Sequence, residues 1–313
     1  MATGSGTGPR APDMVASAYR GRFAPSPTGP LHLGSLSTAL ASFLDARAHG
    51  GAWLLRIEDL DPPREQPGAT ARILASLRAH GLHPDASVLY QHDRCAAYEQ
   101  VITALLDSGD AFHCTCSRQD LHLANGTHAA TCLQSRTPPA GGCAIRLRAR
   151  DTPYRFTDLF LGEVELPGPT GTDDFVIRRR DGLYAYQLAV VVDDAFQGIT
   201  HVVRGRDLLD STPHQVFLRE LLGLAPVSYG HVPLLLNAQG QKLSKQNHAP
   251  ALDDARAPQN LLLCLEALGQ VPPPPVLRGD RGEILAWAIA HWRRDGVPAR
   301  DRVVPAGSAP AEH

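Results

Sequence analysis

Lys242 and Lys245 are the only lysines in a chain with 30 Lys and Arg residues, and both fall in one string, Lys242-Leu243-Ser244-Lys245-Gln246. Wherever else the chain needs positive charge it uses arginine. An ammonium is a compact point charge on a flexible stem, and a rigid guanidinium fork is not equivalent to it. Far upstream runs a second string, Arg22-Phe23-Ala24-Pro25-Ser26-Pro27-Thr28-Gly29-Pro30-Leu31-His32-Leu33-Gly34-Ser35. It reads as a strand end, a Pro/Gly loop and the start of a helix, because Leu36, Leu40, Phe43 and Leu44 follow at helical spacing. His32 and Gly34 therefore sit at a helix N-terminus, whose unpaired N–H groups and partial positive charge suit a phosphate. Gly34 would let a flat ring lie against the backbone. His32 would donate a hydrogen bond to an α-phosphate as negative charge builds there. Neither the Walker phosphate loop nor the dinucleotide fingerprint is present.

Around these strings the elements alternate. Tyr19–Ala24 and Ala52–Ile57 read as buried strands flanking a helix over 35–49, with further helices over 69–80 and 98–106. The alternation predicts a doubly wound, Rossmann-like α/β domain with a parallel sheet. From about 112 to 171 the pattern changes to short β-like runs at 144–148, 155–161 and 163–166, with a loop at 137–142. Asp174–Arg179 and Leu183–Val192 flank Asp181-Gly182 as a hairpin. A strand at 202–204, a helix at 212–222 and a strand at 231–236 lead into the lysine string, and an amphipathic stretch over 261–268 precedes the stiff Pro272–Pro275 linker. The expected organisation is a tail at 1–18, a catalytic first half at 19–106, an insert at 107–190, a second half at 191–246 and a short helical remnant at 247–313. A net charge of −2 gives no global basic field, so RNA contact would come from local arginines such as Arg146, Arg148 and Arg150, or Arg178, Arg179 and Arg180. No apolar run is long enough to span a membrane, and the Gly/Ala/Thr/Pro-rich N-terminus does not read as a signal peptide. A cytoplasmic monomer is the expectation.

Six cysteines in such a compartment read as thiols or metal ligands. Cys114-Thr115-Cys116, then His128 and Cys132, supply three thiolates and an imidazole, enough for a closed tetrahedral zinc site. Cys143 and His122 are rival fourth ligands. Cys95 and Cys264 lie in helical patterns and read as core thiols.

The His-x-Gly and Lys-x-Ser-Lys pair resembles the class I aminoacyl-tRNA synthetases, and Arg22–Gly29 with Arg56-Ile57-Glu58-Asp59 resembles their glutamyl branch. The resemblance spans about Tyr19 to Gln246. It implies a nucleotide-binding fold split by an acceptor-type insert, and ATP-dependent activation of an amino acid with Mg²⁺. It assigns ATP to His32, Gly34, Ser35 and Lys245, with His32, Gly34, Lys242 and Lys245 catalytic; the lysines would answer the charge of the departing pyrophosphate. It assigns L-glutamate to Arg22, Ala24, Ser26, Glu58, Tyr186 and Arg204, with Arg204 on the side-chain carboxylate. Read alone, Arg22 is a carboxylate fork or a surface arginine, Glu58 a partner of Arg56, and Tyr184 sits one alternation step from Tyr186 on the same face. The stretch after Lys245 is short for an anticodon-reading domain, and the cysteine spacing matches zinc ligands of the glutamyl-Q tRNA(Asp) synthetases, with His128 where that family has Tyr. That narrower resemblance implies tRNA-independent glutamate activation and transfer to queuosine in the anticodon of tRNA(Asp). A truncated glutamyl-tRNA synthetase charging tRNA(Glu) is the alternative, and behind it a nucleotidylyltransferase or an inactive RNA-binding paralogue.

Overall fold

The structure, a computed structural model, describes residues 18–124, 128, 132, 139, 141–149, 153–168, 174–243 and 250–304. The N-terminal tail through residue 17, Ser244 to Gln246 with Lys245, Arg150, residues 137, 138 and 140 of the expected loop, residues 305–313 and the side chain of His122 lie outside the described residues.

Strand β1 (Arg20–Phe23) pairs in parallel with β2 (Ala52–Ile57), Arg22 opposite Leu54, and the helix between them is α1 (Leu33–Ala48). Helix α2 (Ala69–Ala79) returns the chain to the short β3 (Leu89–Tyr90), parallel to β2, and α3 (Cys95–Asp107) follows. Helix α1 is buried on more than one side: Leu36, Leu40 and Leu44 are fully enclosed, and Ala39, Ala41 and Ala46 are small enough to let neighbours approach. Inside it, the buried Asp45 accepts from Tyr19 Oη (2.6 Å), Trp292 Nε1 (2.9 Å) and Arg294 Nε (2.7 Å). The C-terminal segment is thereby tied to the helix that carries His32.

The chain then changes character as the sequence predicts. Strands β4 (Ala111–Cys114), β5 (Ala144–Leu147) and β8 (Val176–Arg178) form one antiparallel sheet, and β6 (Tyr154–Asp158) with β7 (Gly162–Leu166) form a hairpin; α4 (Arg118–Leu123) lies between β4 and β5. Beside a small cluster of its own around Phe112, Cys114 and Cys132, this part shares the core of the catalytic helices. Ala111, Ile145, Leu147 and Ile177 pack in one cluster with Tyr98 and Ile102 of α3 and with Leu188 and Val191.

Those last two residues correct the sequence reading. Leu183–Val192 is not a strand: Leu183 and Tyr184 close the hairpin against Arg179 and Arg178, and α5 (Tyr186–Phe196) begins at once. A buried apolar run fits helix or strand equally by pattern, and the β-branched Val190–Val192 tipped the reading the wrong way. The helix runs through residues 190 and 191, where the insert was expected to end. Strand β9 (His201–Gly205), α6 (Thr212–Leu221) and β10 (Ser228–Val232) follow, with β10 parallel to β9. Thr200 N–H donates to Arg20 O (2.9 Å), which sets the β9–β10 ladder beside β1. Arg22, near the carboxyl end of β1, is buried. The expected strand at 231–236 is two strands, broken at Pro233: β10 ends at Val232, and β11 (Leu235–Leu236) pairs with β12 (Arg302–Val303). Helices α7 (Ala257–Ala267) and α8 (Arg281–Ala290) pack on the main core, the second unforeseen by the sequence reading. No described helix is long and apolar enough to cross a membrane.

Candidate active site and cysteine–histidine centre

A cavity of about 960 Å³ opens at the carboxyl ends of β1, β2 and β9, where ligands of open parallel sheets bind. Arg22, Ala24, Ser26, His32, Gly34, Ser35, Glu58, Tyr186, Arg204 and Lys242 all line it. Every described member of the two expected sites thus faces one space, drawn from strand ends and helix starts far apart in sequence.

His32 is the N-cap of α1. Its Nδ1 accepts from Ser35 N–H (3.2 Å), so a neutral ring carries its proton on Nε2. Gly34 lies under that imidazole: a Cβ there would stand 3.2 Å from the ring and 3.5 Å from Leu243 O. The two strings are therefore neighbours. Leu243 N–H donates to Leu235 O (2.7 Å), and Lys242 bridges Leu236, so β11 carries the lysine string to the helix start. Lys242 Nζ donates to Asp207 Oδ2 (2.6 Å), a partner that the sequence reading missed.

Beneath the opposite side lies a buried charge cluster. Arg22 donates through Nε and Nη2 to Asp194 (3.1 and 3.4 Å), and Arg56 donates through Nη1 to Asp194 (2.8 Å) and Gln197 (2.8 Å). Arg56 Nη2 also reaches Glu58 (3.4 Å). Two donors of the Arg22 fork are thus already taken by a protein carboxylate. Burial works to raise Asp194, but Arg22 and Arg56 outweigh it and hold the carboxyl below its usual range. Burial pushes Glu58 up in spite of Arg56. The neighbouring Asp193 accepts from Tyr98 Oη (2.6 Å), Gln91 (2.9 Å) and Arg94 (3.2 Å). The signal for both acids was in the sequence: two carboxylates ending an apolar run must find cations or donors when buried.

Arg204, on β9, is equally enclosed. Its Nε donates to His231 Nε2 (3.0 Å), Nη1 to Gln215 (2.7 Å) and Nη2 to Thr212 (2.9 Å). Among the described residues three of the guanidinium's five donors are used, which leaves one N–H on each terminal nitrogen. Tyr186 begins α5 and its titration is pushed up by burial. Tyr184 also lines the cavity, but from the hairpin and not from a shared strand face, and its hydroxyl donates to Glu99 (3.1 Å).

At the far side of the antiparallel sheet, Cys114 Sγ, Cys116 Sγ and a His128 ring nitrogen lie within 4.8 Å of one another, a grouping that could hold a metal ion. Cys132 Sγ is 3.7 Å from Cys116 Sγ, and His128 Nδ1 is 3.3 Å from Cys114 Sγ. His128 Nε2 faces Asp174 Oδ2 at 3.7 Å. Cys143 is paired elsewhere, its Sγ 3.3 Å from His113 Nδ1. Cys264 is a core thiol as expected, whereas Cys95 is half-buried at the start of α3. The arginines expected to meet RNA have protein partners: Arg146 donates to Asp174 O, Arg148 to Gly109 O, Arg178 to Glu99, Arg179 to Asp181 and Arg180 to Thr115 O.

Residues 18–257 match the catalytic domain of the class I tRNA synthetases (E and Q). The chain is similar to the glutamyl-Q tRNA(Asp) synthetase of Pseudomonas fluorescens, 51% identical over 91% of this chain and 95% of the relative. It is similar to the Pseudomonas aeruginosa protein of the same name, 50% identical over 91% and 97%. Among solved structures, a glutamate tRNA ligase from Elizabethkingia meningosepticum, in complex with its amino acid, superposes with a TM-score of 0.75 at 27% identity, over 93% of this chain and 68% of that one.

Proposed function

Since the chain belongs to the class I tRNA synthetases of the glutamate and glutamine type, and within them to the glutamyl-Q tRNA(Asp) synthetases, we propose that it activates L-glutamate with ATP and transfers it to queuosine in the anticodon of tRNA(Asp). The observation that carries this reading is Arg204 with two uncommitted N–H donors in the cavity that also holds His32 and Lys242. One end of the space suits a carboxylate and the other a polyphosphate.

On this reading the side-chain carboxylate of glutamate takes the two remaining N–H groups of Arg204, with Tyr186 over the pocket. Arg22, Ala24 and Ser26 contact the amino acid and Glu58 faces its ammonium. A neutral glutamine amide would accept from one of the two N–H groups and set its own N–H donor against the other, so glutamate is selected. The α-carboxylate attacks the α-phosphate of ATP. His32 donates Nε2–H to a non-bridging oxygen as charge develops, and the N–H groups of α1 face the same phosphates. The adenine ring lies by Gly34 and Ser35. Lys242 and Lys245 follow the charge of the departing pyrophosphate. Mg²⁺ would arrive with ATP, held mainly by phosphate oxygens and water. A queuosine hydroxyl then attacks the glutamyl carbonyl, and AMP leaves.

Cys114, Cys116 and His128 could together hold a metal ion, and we read that ion as zinc with Cys132, beside Cys116, moving in as the fourth ligand. Tetrahedral bonds of about 2.3 Å to sulfur set sulfurs about 3.8 Å apart, against 3.7 Å between Cys116 and Cys132. Cys114, Cys116, Cys132 and Nδ1 of His128 would be the ligands, with Asp174 orienting the ring from the Nε2 side, a common outer partner of ligating histidines. Burial pushes the Cys114 thiol up to about 11, so a thiolate there needs a cation beside it. A closed set of four protein ligands supplies folding energy and no open position for chemistry.

Glutamate-dependent exchange of pyrophosphate into ATP, without any tRNA, tests the reading. Glutamate should support it and glutamine should not; equal exchange with both would overturn the assigned pocket.

A further inference from the structure

The sequence Tyr229-Gly230-His231 lies on β10, and the end of the β6 hairpin is laid across it. Leu159 N–H donates to Tyr229 O (2.9 Å). Gly230 makes the approach possible, since a Cβ there would stand 2.7 Å from Phe160 Cε2 and 3.1 Å from Leu159 Cβ. The contact delivers one charged group, Asp158, to one imidazole, His231. Asp158, His231 and Arg204 are all at most 3% exposed.

The hydrogen bonds have a direction. Asp158 Oδ1 accepts three backbone N–H groups, from Phe160 (3.0 Å), Leu161 (3.1 Å) and His231 (3.2 Å). Asp158 Oδ2 is left to face His231 Nδ1 at 2.6 Å. An ionised carboxylate only accepts, so Nδ1 carries the proton and Nε2 of the neutral ring is a lone pair. That lone pair receives Arg204 Nε–H at 3.0 Å, and Thr212 Oγ1 lies 3.3 Å from it while accepting from Arg204 Nη2. Burial pushes His231 down, which keeps the ring neutral, and the Asp158 carboxyl is held low by His231 and the Phe160 N–H in spite of its own burial. The buried sum is one guanidinium against one carboxylate, with a neutral imidazole between them.

We propose that Asp158 and His231 are positioning residues of the glutamate clamp: Asp158 fixes the tautomer of His231, and His231 fixes the plane of the Arg204 guanidinium so that its two free N–H groups point into the cavity. The proposal rests on the reading of Arg204 as the glutamate clamp. Apolar packing would fasten the hairpin to β10 equally well; what the polar chain adds is orientation. It also ties the clamp to the segment between β4 and α5, because Asp158 belongs to that segment and Arg204 does not.

Asp158→Asn separates orientation from packing. The three backbone N–H groups still require an oxygen at the Oδ1 position, so the amide nitrogen must take the place of Oδ2. It then presents N–H to His231 Nδ1. The ring proton has to move to Nε2, where it confronts Arg204 Nε–H donor to donor. The expected result is a rise of about tenfold to a hundredfold in the KM for glutamate in pyrophosphate exchange, the size of one lost hydrogen bond to a charged group. The KM for ATP and kcat should stay within about threefold, since uniform ground-state binding is what is lost. Long-range ¹⁵N–¹H spectra of the histidine ring should show His231 protonated on Nδ1 in the wild type and on Nε2 in Asp158→Asn. Should that variant not fold, His231→Gln and His231→Asn carry the test. A glutamine oxygen can reach the place of Nε2 and accept from Arg204, whereas asparagine cannot, so Gln should hold the glutamate KM at least fivefold below Asn. A wild-type ring protonated on Nε2, or a folded Asp158→Asn with unchanged glutamate KM, would overturn the proposal, and so would equal KM values for the Gln and Asn variants. Wild-type protein without glutamate-dependent exchange would instead overturn the glutamate reading, and the tautomer spectrum would still decide the Asp158–His231–Arg204 chain.

Discussion

Replacing Asp194 by Asn removes one negative charge from a cluster that is neutral only while intact. Arg22, Arg56, Asp194 and Glu58 have side chains 4%, 0%, 6% and 9% exposed, two cations against two carboxylates. The amide keeps the volume and one acceptor, but it leaves a net buried positive charge. Both guanidiniums lose their shared counter-ion at 2.8 and 3.1 Å, and Glu58 at 3.4 Å from Arg56 is the acid that remains. Breaking a buried pair from one side costs about 3–5 kcal/mol, a large share of a total stability of about 5–15 kcal/mol. Asp194 itself helps to push Glu58 up, so its removal eases Glu58 and favours the lower end, about 3 kcal/mol. With an m-value of about 3 kcal/mol/M, the urea midpoint should fall by roughly 1 M. The pH dependence has a definite sign. Asp194 is held below its unfolded value, so it contributes stability above the ordinary aspartate pKa and loses it as pH falls through the depressed folded value. The difference between wild type and Asp194→Asn should therefore be full at pH 7 and shrink below about pH 4. Equilibrium urea unfolding at both pH values, with m compared, is the assay. A midpoint within about 0.3 M of wild type at pH 7, at equal m, would refute the view that Asp194 balances the two arginines.

Three further outcomes follow from the site. Arg204→Ala should raise the KM for glutamate at least tenfold while the KM for ATP stays nearly unchanged; steady-state pyrophosphate exchange reads both, and an unaltered glutamate KM removes Arg204 from the pocket. Lys245→Arg should lose kcat by tenfold or more with charge conserved, because a fork cannot follow the pyrophosphate as an ammonium does, and near wild-type turnover would contradict the argument from the two lysines. Cys132→Ser should lose zinc, measured as metal per chain after purification without chelator, where the wild type carries about one; zinc-free wild-type protein would count against the centre itself.

The chemistry was more legible in the sequence than its supports. His32 and Gly34 could be placed at a helix start because loop residues and apolar spacing both marked it, and the cavity holds them as expected beside Lys242. The parallel strands β1 and β2 were found because a buried strand is a short apolar run between turn signals. The start of α5 was missed because Leu188–Val192 is enclosed by a core shared between the catalytic helices and the antiparallel sheet; only that tertiary setting decides helix over strand. Arg22 was read as a free fork since its partner, Asp194, stands 172 positions away. The same holds for Asp158 and His231, 73 positions apart: periodicity reports which residues share a face of one element, and it carries no information about which buried charges meet between elements. The C-x-C spacing, in contrast, leaves little freedom: Cys114, Cys116 and His128 gather within 4.8 Å, and Cys132 lies outside that group, 3.7 Å from Cys116.

The central claim is that glutamate ends on the anticodon of tRNA(Asp). The direct measurement is glutamylation of tRNA(Asp) whose 3′ end has been oxidised with periodate, with the queuosine diol protected during oxidation and freed afterwards, beside tRNA(Asp) lacking queuosine and oxidised tRNA(Glu). An unpaired anticodon base can be splayed into a pocket and read on its edges, as single-stranded RNA recognition requires. Labelling that needs queuosine and survives loss of the 3′ diol is the expected result. Labelling of tRNA(Glu) that disappears with its 3′ diol, and none of oxidised tRNA(Asp), would contradict the account.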